Sequence, residues 1–178
     1  MKIHEKIHSL YDELGTNALS RGFLPLAEQM FSAAVEEAKR PAHDASVLAR
    51  SWFGLAQVYH KQQKIRLALH YYHKAVSFYE RNPDEFACQL AAGFDNLASL
   101  YLLDGELAKS RTFSRKALSY YEKLLGADSP ILAPRLVRLG YIYSQWKHFD
   151  KALVYLQRAQ ILKGQSADTH SAGRVTPA

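Results

Sequence analysis

The feature that most constrains this chain is an internal repeat with a period of 41 or 42 residues. Seven positions keep the same spacing and a similar character in four successive units of the sequence. They are Tyr11, Leu14, Gly15, Ala18, Ala27, Phe31 and Ala34, then Trp52, Leu55, Ala56, Tyr59, Ala68, Tyr72 and Ala75, then Phe94, Leu97, Ala98, Tyr101, Ser110, Ser114 and Ala117, and finally Leu136, Leu139, Gly140, Tyr143, Ala152, Leu156 and Ala159. A period of this length is typical of a solenoid, in which units that cannot bury their apolar faces alone stack on one another.

The spacing within each unit predicts a pair of helices. Steps of three, one and three residues place the first four positions on one helical face, and steps of four and three place the last three on a face of a second helix. Small residues recur at the positions where the two helices would face each other, which allows a close antiparallel approach. These small residues are Gly15, Ala56, Ala98 and Gly140 in the first helices and Ala27, Ala68, Ser110 and Ala152 in the second helices.

Turn and cap residues predict where the helices begin and end. Gly22 and Gly105 fall between the two helices of their units, and Gly126 suits a helix C-terminus. Ser129-Pro130 is typical of a helix start, as is the segment 82–85, in which Glu85 could close a capping box. We therefore predict eight helices, over residues 3–20, 24–39, 45–61, 65–80, 84–103, 107–125, 130–146 and 149–163.

The helix pairs group into units of residues 1–40, 45–82, 84–126 and 129–163, which together form one solenoid domain over residues 1–163. The remaining segment, 164–178, reads GQSADTHSAGRVTPA and has neither periodicity nor many large apolar residues. We predict that this tail is disordered.

The residues W-x2-L-A-x2-Y from Trp52 and A-x3-Y from Ala68 resemble the tetratricopeptide repeat signature, W-x2-L-G-x2-Y followed by A-x3-F. The long period and the linker EKLLGADSP resemble the kinesin-light-chain type of this repeat. The resemblance implies an all-α, right-handed α-solenoid of four helix hairpins. It also implies a non-catalytic interaction module that holds a peptide or an extended segment of another protein in a concave groove.

In that family the first helix of each hairpin lines the groove, so helical geometry selects the side chains that would point into it. The candidate peptide-binding residues are Arg50, Phe53, Gln57, His60, Lys61, Asp95, Asn96, Ser99, Val137, Arg138 and Tyr141. The apolar members would act as anchors, whereas the amides and Arg138 would bind a peptide backbone or a carboxylate. The alternative for each polar member is a hydrated helix face.

One branch of the family, the chaperone adaptors, holds a C-terminal carboxylate with two lysines, two asparagines and an arginine. Asn96 and Arg138 match two of those places, and Gln57 replaces one asparagine. Phe53 and Pro134 stand where the lysines would be. A broader peptide-binding groove is therefore the expectation, rather than a strict carboxylate clamp.

Catalytic and metal chemistry are not expected. The sequence has no G-x-S-x-G motif and no phosphate-binding glycine loop, so we predict no catalytic residues and no cofactor. Cys88 is the single cysteine, which excludes an intrachain disulfide and a cysteine-ligated zinc site. His4 and His8, like His70 and His73, have helical spacing but no third ligand, so we interpret both pairs as surface histidines.

Charge and hydropathy narrow the class of partner. The net charge is +6, but basic residues are dispersed among acidic ones and every hairpin belongs to the repeat, so nucleic-acid binding is not expected. No stretch approaches the length of a membrane span, and the start MKIHEKIHSL lacks the apolar run of a signal peptide. We predict a cytoplasmic protein with a protein or peptide partner.

The last predicted helix, DKALVYLQRAQILK, has more apolar surface than one preceding hairpin can cover. We therefore predict a homo-oligomer that forms through residues 150–162. A second partner, the tail, or plain exposure of these side chains are the alternatives. Two other functions stay open at this point: an assembly protein that self-associates through this hairpin, and a chaperone for a client protein.

Overall fold

A computed structural model describes residues 2–40 and 43–172, and this part of the chain forms eight α-helices and one short 3-10 helix. The helices are α1 (Lys2–Ser20), α2 (Leu24–Ala38), α3 (Ala45–Lys61), α4 (Ile65–Tyr79), α5 (Ala87–Leu103), α6 (Leu107–Leu125), α7 (Ala133–Gln145) and α8 (Phe149–Ala172). The 3-10 helix spans Pro130–Leu132, directly before α7.

Consecutive helices pack as hairpins, α1 on α2, α3 on α4, α5 on α6 and α7 on α8. Each second helix also packs on the first helix of the next hairpin. The predicted all-α solenoid is therefore confirmed. No helix in the described part of the chain combines the length and the apolar character that a membrane span requires.

The small residues of the repeat do lie where two helices nearly touch. A Cβ atom added to Gly140 would lie 2.7 Å from Leu156 Cγ and 3.3 Å from the carbonyl oxygen of Ala152. In the third hairpin the hydroxyl of Ser110 donates a hydrogen bond of 2.8 Å to the carbonyl oxygen of Ala98. Larger side chains at these positions would separate the helices.

The buried apolar residues form two groups. The larger group runs without interruption from α1 to α6, whereas the smaller one joins the end of α6 to α7 and α8 around Leu132, Leu136 and Leu162. Tyr121 is half-buried and packs against both groups. The fourth hairpin thus has an apolar core of its own.

The same turn position has a left-handed backbone in all four hairpins. Its φ angle is 79° at Gly22, 59° at Gln63, 77° at Gly105 and 60° at Lys147. The sequence predicts this turn where the residue is glycine, and the structure shows that Gln63 and Lys147 adopt it as well, at the steric cost that a Cβ atom imposes there.

Two predicted helix starts and one predicted end are wrong. Helix α5 begins at Ala87 rather than at residue 84, because Phe86 packs against Phe78 and Tyr79 and holds 82–86 as a turn. Ser129-Pro130 opens the 3-10 helix, and α7 follows at Ala133.

The predicted tail also differs, because α8 continues past residue 163 to Ala172. Gly164 alone weakens a helix by only about 1 kcal/mol, and the next proline is Pro177. Residues 173–178 of the predicted disordered tail lie outside the described residues.

Two polar contacts fix the inner side of α1. His4 Nδ1 lies 2.7 Å from Glu37 Oε1. His8 Nε2 lies 2.7 Å from Ser51 Oγ, and the Ser51 hydroxyl donates to the carbonyl oxygen of Val47. Its oxygen can therefore accept from the His8 ring. The interpretation of His8 as a surface residue is wrong, since this side chain is buried where Ser51 offers it a partner.

Burial lowers the pKa of His8 below its ordinary value of 6.5. Asp12 and Glu37 oppose this shift, and Arg50 and His43 reinforce it. Because the unfolded chain takes up the proton more readily, the contribution of His8 to stability is complete above about pH 6.5 and is lost as the pH falls below it. We expect the free energy of unfolding, measured with urea, to fall less between pH 7 and pH 5 in the His8→Gln variant than in wild type. An identical pH slope in both proteins would contradict this role of His8.

Candidate functional site

A cavity of about 680 Å³ lies between the ends of α1, α3 and α5. Its walls are Leu19, Gln57, His60, Lys61, Gln63, Ile65, Tyr72, Asn96 and Leu103. The structure thus brings four of the predicted groove residues, from two neighbouring hairpins, to one cavity. We call it the amide pocket, after Gln57 and Asn96.

The polar groups of the amide pocket are mostly neutral. Burial, and then the charge of Lys61, lowers the pKa of His60, so that its imidazole is uncharged at neutral pH and offers one donor and one acceptor. Burial likewise raises the pKa of Tyr72, whose hydroxyl is buried with no hydrogen-bond partner among the described residues. Asn96 Nδ2 donates a hydrogen bond of 2.9 Å to the carbonyl oxygen of Ala92 on its own helix. These groups suit the N–H and C=O groups of a peptide backbone better than a full charge.

A second cavity, of about 410 Å³, lies between α3 and α5 nearer their N-termini. It is lined by Ser46, Arg50, Phe53, Tyr79, Phe86, Cys88, Gln89 and Ala92. Three aromatic rings form much of its wall, and the edge-to-face contact between Phe53 and Tyr72, with ring centroids 5.2 Å apart, fixes one of them. We call this cavity the aromatic pocket. Its volume and walls are suited to one large apolar side chain.

Three other predicted groove residues form an internal polar cluster that joins α5 to α7. Asp95 accepts from Arg138 at 2.7 Å and from Arg135 at 2.6 Å, through different carboxylate oxygens. Arg138 also donates to Ser99 Oγ at 2.8 Å. The guanidinium of Arg138 is therefore already bound within the chain, which argues against its predicted role as a carboxylate ligand.

The remaining predicted residues lie apart from both pockets or at their edge. Arg50 borders the aromatic pocket, and its exposed side chain forms an ion pair of 2.6 Å with the largely buried Asp12. Val137 and Tyr141 are exposed on α7, and neither lines the amide pocket or the aromatic pocket.

Sequence reasoning missed part of this arrangement. Tyr72 and Tyr79 occupy apolar core positions of the second helix in their hairpin, so the sequence pattern predicts only that they are buried. The structure shows that each also lines a pocket. Phe86 was obscured by the expected helix start at residue 84. Arg135 precedes Arg138 by three residues and so shares its helical face, a signal that could have revealed the pair around Asp95.

No group of three or more histidine, cysteine, aspartate or glutamate side chains within residues 2–40 and 43–172 is arranged to hold a metal ion. His70 and His73 are exposed, and His73 Nε2 lies 2.7 Å from the Tyr101 hydroxyl.

Comparison with protein families identifies the repeat. Two tetratricopeptide repeat models match the sequence, one over residues 49–82 and the other over residues 89–160. The chain belongs to the tetratricopeptide repeat family. Domains of this family are generally non-catalytic scaffolds for protein–protein interaction, and this repeat protein has the solenoid that such a module requires. No curated protein matches its sequence.

Solved structures share the fold at low sequence identity. BtubC (BKLC) from P. vanneervenii superposes with a TM-score of 0.79 at 20% identity, over 96% of this chain and 66% of that one. The apo form of RapI gives a TM-score of 0.79 at 16% identity, over 94% of this chain and 59% of that one. A putative kinesin light chain with TPR-like repeats from Podosopora anserina gives a TM-score of 0.68 at 14% identity, over 90% of this chain and 76% of that one. The repeat protein therefore spans just under two thirds of the first of these structures.

The cluster around Asp95 yields a prediction about stability. The side chains of Arg135 and Arg138 are only 12% and 14% exposed. In the Asp95→Asn variant their two guanidinium groups lose the negative charge that they share and repel each other. Loss of one partner of a fully buried pair costs about 3–5 kcal/mol, and partial exposure reduces this to about 1–3 kcal/mol. Urea denaturation measures the loss.

Asp12→Asn is the matched control: Asp12 is about as buried as Asp95, at 16% against 20% exposed, but it pairs with a single arginine, Arg50, whose side chain is 59% exposed and can be solvated when the pair is lost. We expect this variant to lose less than about 1 kcal/mol. Equal losses in the two variants would contradict a structural role for the Asp95 cluster.

Proposed function

We propose that the repeat protein is a non-catalytic adaptor that holds an extended segment of another protein along α3 and α5. The observation that carries the proposal is the pair of cavities on the same two helices. The aromatic pocket would receive a large apolar side chain, and the amide pocket would bind backbone or neutral polar groups farther along the ligand.

The spacing of the two pockets defines the ligand more closely. On α3 the aromatic pocket is lined by residues 46–53 and the amide pocket by residues 57–61, so their centres are about 9 residues, or about 14 Å, apart along the helix. An extended chain advances about 3.3 Å per residue. We therefore expect the apolar anchor and the backbone contacts to be separated by about four residues of the ligand.

The rigidity of the site favours such a ligand. Both pockets are formed by helices whose packing is set by buried contacts, and the Asp95 cluster fixes α5 to α7. The receptor then loses little conformational entropy on binding, and most of the ordering cost falls on the peptide.

We further propose that the adaptor works in the cytoplasm. The thiol of Cys88 is free and exposed at the rim of the aromatic pocket, and thiols of this kind stay reduced in that compartment.

A second candidate is self-association through residues 150–162. The observation in its favour is that Leu153, Val154 and Ile161 of α8 are 55%, 64% and 61% exposed. One feature opposes it: Gln160 occupies the repeat position at which Val76 and Leu118 pack against the following hairpin. An adaptor that binds peptide in its groove remains the better supported function.

The groove is tested with peptides selected on the wild-type protein from a random display library. We expect the selected peptides to share a large apolar residue, and their affinity, measured by fluorescence anisotropy, to fall at least tenfold in the Gln57→Ala/Asn96→Ala variant. Each lost backbone hydrogen bond is worth about 1 kcal/mol.

The matched control is Gln29→Ala/Gln157→Ala, which removes two exposed amides away from both pockets. We expect it to bind the same peptides as wild type does. Selected peptides that bind the groove variant and the control equally well would show that the amide pocket is not the binding site.

A further inference from the structure

Helix α1 has an uncovered apolar stripe on the side that faces away from the rest of the solenoid. Ile3, Ile7, Leu10 and Leu14 follow one another at steps of four, three and four residues, so they lie along a single side of the helix. Ile3 is 72% exposed, Leu10 is 53% exposed and Leu14 is 43% exposed. We call these four residues the α1 stripe.

The equivalent positions of the other hairpins are covered by the hairpin before them. The residues equivalent to Leu14 are Leu55, Leu97 and Leu139, which are 2%, 0% and 0% exposed. The residues equivalent to Leu10 are Ser51, Gly93 and Arg135. Leu10 is thus more apolar than its counterparts in the other three hairpins.

The inner contacts of α1 keep the stripe outward. The pairs His4–Glu37 and His8–Ser51 attach a different side of the helix to α2 and α3. Rotation of α1 to hide the stripe would break both pairs and leave Glu37 and Ser51 buried without those partners. The stripe is therefore a fixed surface.

We propose that the α1 stripe binds the α1 stripe of a second copy of this chain, with the two helices antiparallel about a two-fold axis. The spacing of the stripe is that of the a and d positions of a coiled coil. In the antiparallel arrangement Ile3 lies opposite Leu14 of the second copy, and Ile7 lies opposite Leu10. All four apolar residues are then covered in both copies.

The flanking charges select this arrangement. Lys6 and Glu13 are exposed, lie along the same edge of the stripe, and form no ion pair within the described residues. The antiparallel register places Lys6 beside Glu13 of the second copy, and symmetry repeats the pair. In a parallel dimer the residue facing Lys6 would be Tyr11, so the charges would not meet. The surface is thus complementary to itself in one orientation, as an isologous interface requires.

The interface is small, since four residues from each copy form its core. It belongs to the weak class of interfaces, so we expect association at micromolar rather than nanomolar concentrations. This inference is independent of the groove, because none of the four stripe residues lines the amide pocket or the aromatic pocket.

Sedimentation equilibrium over a range of concentrations tests the dimer. We expect the wild-type mass to rise from 20.2 kDa toward twice that value. The Leu10→Glu variant should stay at the mass of one chain. Leu153→Glu is the matched control, since it introduces the same charge at a similarly exposed leucine at the other end, and it should associate like wild type.

A charge exchange at Lys6 and Glu13, two exposed residues, tests the register. Lys6→Glu and Glu13→Lys should each raise the dissociation constant about tenfold, because two attractive pairs become repulsive. The Lys6→Glu/Glu13→Lys double variant restores both pairs and should return the constant to the wild-type value.

Three results would overturn the proposal. The first is a wild-type mass of 20.2 kDa at every concentration up to about a millimolar, at which even a weak interface forms. The second is association that is lost in Leu153→Glu and kept in Leu10→Glu, which would assign the interface to α8. The third is a dissociation constant of the double variant that is no lower than those of the single variants, which would exclude the antiparallel register.

Discussion

The close contact between neighbouring helices, within and between hairpins, is the interaction on which the rest of the structure depends. A Cβ on Gly140 would collide with Leu156, and a Cβ on Gly54 would lie 2.3 Å from the ring of Phe31 across the gap between hairpins. Helices that approach this closely leave no freedom in their spacing, so stacking them produces one fixed curvature. The two pockets on α3 and α5 are consequences of that curvature, since their walls come from different hairpins.

The fourth hairpin is joined to the third in a different way. Its apolar core is separate from the larger one, and the half-buried Asp95 cluster connects α5 to α7 beside it. Arg135 strengthens the connection, because its guanidinium lies 3.9 Å from the ring centroid of Tyr121, the residue that contacts both cores. A charged connection of this kind demands specific geometry, and it removes Arg138 from the ligands of the groove.

The helices are well predicted from the sequence because the same pattern occurs four times, so that each copy supports the interpretation of the others. The left-handed turn at Lys147, with φ near 60°, can be recognised from the sequence only because Gly22 and Gly105 mark the same turn in their own hairpins. Pairing between distant residues is harder to predict. Asp95 and Arg138 were both placed in the groove, and nothing in their spacing along the chain shows that they bind each other. The buried position of His8 depends on Ser51, a partner 43 residues away. The start of α5 likewise depends on how Phe86 packs, which local propensity does not encode.

We infer that the groove surface of α3 and α5 binds an extended peptide. Amide hydrogen exchange of the repeat protein, measured with and without a selected peptide at saturating concentration, tests it most directly. We expect exchange to slow over residues 46–61 and 88–103, which supply most of the walls of the two pockets, and to stay unchanged over α6, which lines neither pocket. Protection confined to α8 or to the outer side of α1 would contradict it.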